Sequence, residues 1–77
     1  MSNYQKAILS LLQQRGEGKT ICPSEVLSPS DKQDKEMMEE VRAEAKELAR
    51  KGIIEICQSG EAIDPDNIKG PIRLRLK

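Results

Sequence analysis

The chain has 77 residues, with 13 lysines and arginines against 13 aspartates and glutamates, no histidine, two cysteines and one aromatic residue, Tyr4. That is the length of one domain, residues 1–77, able to bury only about 60% of its unfolded surface. Two cysteines are too few soft ligands for a closed zinc site, the lack of histidine removes a Cys-His nucleophile pair, and one aromatic cannot build a stacking platform for single-stranded bases.

From the N-terminus, Ser2 or Asn3 can cap a first helix reaching about Arg15, with Tyr4, Ala7, Ile8, Leu11 and Leu12 inward and Gly16 as its stop. Lys19 to Cys22 is a short β-prone run ended by Pro23. Residues 23–27 then read as a short second helix, with Ser24 as a cap and Val26 and Leu27 inward, closed by Pro29. The polar segment 30–35 is a loop or the solvated start of a third helix, capped by Ser30, Asp31 or Asp34.

That third helix, 36–51, is the longest run with helical periodicity. Met37, Met38, Val41, Ala45, Leu48 and Ala49 share one face; Arg42, Lys46 and Arg50, four residues apart, form a basic ridge. Gly52 ends it. Residues 53–58 are the strongest strand, with Ile54 and Ile56 on one face and Glu55 and Cys57 on the other. Ser59-Gly60 turns the chain, 61–69 is a polar loop, and Gly70-Pro71 ends it. Residues 72–77 alternate strictly: Ile72, Leu74 and Leu76 inward, Arg73, Arg75 and Lys77 outward. The last two strands are expected to pair as an antiparallel hairpin.

The order is helix, strand, helix, helix, strand, strand. This is an α+β chain with the order of a winged helix, a helix-turn-helix with a C-terminal hairpin, whose wing is 61–71. The stretches GKTICPSEV (18–26) and GPIRL (70–74), with the run over 42–55 and the ending IDPDNIKGPIRLRLK, resemble an uncharacterised family of small bacterial winged-helix domains. The resemblance covers nearly the whole chain. It implies the winged-helix fold and no established activity. In that family the helix matching 37–51 is richer in alanine and arginine, so Glu39, Glu40, Glu44 and Glu47 count against DNA binding here.

Several small motifs lead nowhere catalytic. Gly18-Lys19-Thr20 imitates a phosphate-binding loop, but position 13 is Gln where the first glycine belongs, and a helix precedes it rather than a strand. The carboxylates of Glu61, Asp64 and Asp66 lack the spacing of a calcium loop and fit a turn. Cys22 and Cys57 could be joined by a disulfide; two reduced thiols are the simpler expectation in a cytoplasmic protein. An aromatic-free core leaves little room for a small-molecule substrate pocket, and no cofactor or metal is expected.

What remains is charge distribution. Residues 69–77 contain Lys69, Arg73, Arg75 and Lys77 and no acid, while 52–68 contain Glu55, Glu61, Asp64 and Asp66 and no base. The ridge spans about 12 Å at ~1.5 Å per residue, a groove's width. The favoured expectation is a non-catalytic, cytoplasmic, transcription-associated protein bound to double-stranded DNA. Arg42, Lys46 and Arg50 would lie along the groove, with Lys69, Arg73 and Arg75 on phosphate; Lys19 and Lys35 are lesser candidates. The alternative is a winged helix that docks on a protein and binds no nucleic acid. Against DNA contact stand the reading of the ridge as a solvated face laced with charge pairs and that of the strand cations as protection of a sheet edge. No stretch approaches the ~20 apolar residues of a membrane span.

Overall fold

Two helices lie on one face of a four-stranded antiparallel sheet in the computed structural model, which describes residues 3–68 and 70–77. Helix α1 spans Asn3–Arg15 and helix α2 spans Lys35–Arg50; the strands are β1 (Thr20–Ile21), β2 (Ile54–Gln58), β3 (Glu61–Ile63) and β4 (Arg73–Leu76). The order across the sheet is β1-β4-β2-β3. The α+β class, both long helices and the pairing of β2 with β4 are as expected from the sequence.

Local chemistry sets the limits of α2. Asp34 caps it, its carboxylate accepting from the amides of Glu36 at 2.9 Å and Met37 at 3.2 Å, so the helix starts at the last of the three candidate caps. At the other end Ile53 N–H reaches the Leu48 carbonyl and Gly52 N–H that of Ala49. This crossed pair requires a left-handed residue, and Gly52 sits at φ +78°.

Two expectations need correction. Residues 23–27 do not form a second α-helix: Pro23–Val26 is a single 3₁₀ turn, with Cys22 rather than Ser24 at its cap position. Pro23 opens the turn but Pro29 lies too close for propagation, and one turn cannot repay the cost of helix nucleation. Nor is 61–69 simply a loop. β2 and β3 form a tight hairpin, with Gln58 opposite Glu61 and positive φ at both Ser59 and Gly60. That is the turn whose twist matches paired strands. A second 3₁₀ turn, Pro65–Asn67, follows, its start fixed by the Asp64 carboxylate accepting from Asp66 N–H at 2.8 Å.

Between the sheet and the helices lies the core: Ile8 and Leu12 of α1, Val41, Ala45 and Leu48 of α2, Ile54 and Ile56 of β2, Leu74 of β4, and Ile21, Leu27 and Ile72. The alternation in β4 is as expected, Leu74 being buried and Arg73 exposed. Cys57, expected to share a face with Glu55, is only 3% exposed. It lies on the face opposite Ile56, with Ala62 of β3 and Arg73 of β4 as its partners in register. Gln5 is the one buried polar residue among those described.

Candidate functional site

The basic ridge of α2 is turned toward the segment between β3 and β4. Arg42 donates to the Gly70 carbonyl at 2.8 Å, and Arg50 pairs with Asp66 at 2.5 Å. Lys46 stands half-buried between them. Two of the ridge's three cations therefore contact the stretch between β3 and β4, at Asp66 and at Gly70. Asp66, by its hydrogen bond and then its charge, pushes the Arg50 guanidinium further above its ordinary range.

What α2 presents to solvent is acidic. Its exposed positions include Glu36, Glu39, Glu40, Ala43 and Glu47. Spacings of three and four residues put Glu36, Glu40, Ala43 and Glu47 on one stripe. Lys35 is also exposed, at the helix start, and Lys19 is exposed in the loop before β1.

Arg73 and Arg75 belong to the opposite side of the molecule. Leu74 of β4 faces the helices, so its neighbours project from the helix-free face. There Arg75 lies between Thr20 and Glu55 in register and donates to the Glu55 carboxylate at 2.7 Å. That hydrogen bond raises the Arg75 pKa. Arg73 is opposite Cys57 and donates through Nε to the Thr20 hydroxyl at 2.7 Å and through Nη1 to Cys22 Sγ at 3.0 Å. Of the six cations expected to act together, the five described fall on two faces, and Lys69 lies outside the described residues.

Both cysteines are free. Cys22 directly follows β1 and Cys57 lies on β2, with β4 between them. Two strand spacings are about 9–10 Å, beyond the ~4.4–6.8 Å that a disulfide spans between Cα atoms. Among the described residues no group of three or more Cys, Asp or Glu side chains is placed to hold a metal ion.

Sequence reasoning missed the part played by Glu25. Its carboxylate accepts from Cys22 N–H at 2.7 Å and pairs with Arg15, the last residue of α1. The backbone hydrogen bond from Cys22 is the main reason its pKa lies below the ordinary value, with Arg15 adding to it. Glu25 follows the cap residue Cys22 by three, the spacing of a capping box, with cysteine where that motif has Ser or Thr. Arg15, by contrast, is ten residues away, and only the fold brings it in.

No helix among the described residues is long and apolar enough to cross a membrane. No curated protein matches the chain. The resemblance carried by GKTICPSEV and GPIRL is to a family without assigned activity, and the comparison with known families agrees at that level. The family described as protein of unknown function (DUF3253) matches residues 1–77, and the chain belongs to it.

Proposed function

We propose that this chain is a non-catalytic winged-helix domain that docks on a protein through the exposed stripe of α2. For the winged helix, the support is topological. β1 leads into the 3₁₀ turn and α2, and it is hydrogen-bonded to β4, the strand that closes the wing; β4 in turn pairs with β2. The helix-turn-helix portion would be abbreviated, its first helix reduced to Pro23–Val26.

The observation that carries the choice of partner is the acidic stripe of Glu36, Glu40 and Glu47 on an exposed face of α2. A helix entering a major groove would bring these carboxylates against phosphates, at a cost in both affinity and rate. Arg50 is neutralised by Asp66 and Arg75 by Glu55, and the net charge is zero. Duplex DNA, which the ridge alone favours, is therefore less well supported than a protein surface carrying lysines and arginines.

Titration of a fluorescent DNA duplex at low salt tests this. The wild-type chain should show no saturable binding below about 100 µM, the weak end of ordinary non-specific DNA affinity. A Glu36→Lys/Glu40→Lys/Glu47→Lys variant should bind at least ~10-fold more tightly, because reversal removes the repulsion. A photo-crosslinking residue at position 43, in the middle of the stripe, should capture a protein in cells, and the same triple reversal should abolish capture. Micromolar, salt-sensitive binding of duplex DNA by the wild type would overturn the proposal.

A further inference from the structure

The helix-free face of the sheet holds a hollow of about 580 Å³, lined among others by Thr20, Cys22, Cys57, Gln58, Arg73 and Arg75. That volume lies within the ~300–1,000 Å³ usual for small-ligand sites. No carboxylate is among its lining residues. Glu55, the nearest acid in register, is occupied by Arg75 at the rim.

Arg73 differs from most other arginines of the fold. Arg15, Arg50 and Arg75 each have a carboxylate partner; Arg73 donates only to neutral acceptors, the Thr20 hydroxyl and carbonyl and Cys22 Sγ. Its positive charge is therefore not cancelled by an ion pair, and its influence on Glu25 is the least of those acting on that carboxylate. A guanidinium has about five N–H donors, and the three contacts leave two for a ligand while fixing the plane of the group. Arg42, the other arginine without a carboxylate partner, donates to Gly70 and lines a much smaller groove of about 210 Å³. A fixed, uncancelled guanidinium in an acid-free concavity is the arrangement that recognises oxyanions, since little side-chain entropy remains to be lost on binding.

We propose that this hollow is a binding site for a small organic anion bearing a carboxylate or phosphate group, with Arg73 as the anchoring residue. The Thr20 hydroxyl, already aligned with the guanidinium, and the Gln58 side chain line the same wall. The site lies across the sheet from the core and does not depend on what α2 binds.

Amide and arginine Nε resonances of the ¹⁵N-labelled chain, titrated separately with inorganic phosphate and with acetate against sodium chloride of matched ionic strength, read the site directly. Saturable shifts at Thr20, Gln58 and Arg73, with millimolar affinity for at least one anion, are expected; the tighter of the two identifies a phosphate or a carboxylate ligand. Arg73→Gln should weaken binding at least ~10-fold, Arg73→Lys less so, and Arg50→Gln not at all. Shifts that merely follow ionic strength, or an unchanged titration in Arg73→Gln, would refute the site. Because Arg73 also bridges to β1, a measurement on the wild-type chain stands beside the variants. Whichever of phosphate and acetate binds more tightly should, at saturation, slow alkylation of Cys22 by iodoacetamide several-fold where sodium chloride does not. Equal rates in the two salts would also refute it.

Discussion

Glu25 shows how much one side chain can connect in so small a fold. Its carboxylate joins the end of α1 to the backbone at the close of β1 through Arg15 and Cys22 N–H. Glu25→Gln keeps the shape and removes the charge, and should lower stability by about 1–2 kcal/mol at neutral pH, as expected for hydrogen bonds to a charged acceptor. The pH dependence has a definite sign. Because the folded-state pKa is depressed, the unfolded chain binds more protons between the two pKa values, so this contribution is present above the ordinary value of 4.5 and lost as pH falls below it. Denaturant titrations of wild type and variant should therefore differ at pH 7 and converge on acidification; a constant difference would contradict the assignment. At this scale the sequence was partly legible. The capping-box spacing of Glu25 could be read locally, and so could the inward leucines of 72–77. The burial of Cys57 could not, because alternation along a strand says which face a residue takes and nothing about what covers that face.

At the level of elements, α2 was readable in its limits and its buried stripe, since caps, Gly52 and apolar periodicity are all local. Its basic ridge was identified correctly as a ridge, but its surroundings were not foreseen. Arg42 meets Gly70 and Arg50 meets Asp66, contacts separated in sequence by 28 and 16 residues, and a helical wheel carries no information at that range. The 3₁₀ turn at Pro23–Val26 was overestimated as a helix for a related reason: its apolar residues fit a helical face, but the five residues between Pro23 and Pro29 give too few hydrogen bonds. The buried stripe leads to a quantitative expectation. Leu48 is fully buried in the core cluster, so Leu48→Ala should cost about 2–5 kcal/mol. In a domain whose total stability is of the order of 5–15 kcal/mol, that is enough to unfold a visible fraction at physiological temperature. Thermal melts followed by circular dichroism check it, and a shift of only a degree or two would mean that α2 is less essential to the core than its burial indicates.

For the molecule as a whole, the sheet order β1-β4-β2-β3 places the two proposed surfaces on opposite faces. Helices and their acidic outer stripe lie on one side, and the arginine-lined hollow lies on the other. The same order makes β4 the only strand touching both β1 and β2. A chain cut after Gly70 keeps both helices and the β2–β3 hairpin, yet leaves β1 unpaired and removes Leu74 from the core. It should show no cooperative thermal transition by circular dichroism. A sharp melt would show that the helical half is stable alone.

The central place of β4 also governs how the protein comes off the ribosome. Thr20 and Ile21 emerge early but must wait for Arg75 and Leu74, which are translated more than fifty residues later. Until that segment emerges, the nascent chain can hold helical turns and one hairpin, with its apolar stripes uncovered. Closure of the sheet waits for the segment around Leu74, which lies between β1 and β2.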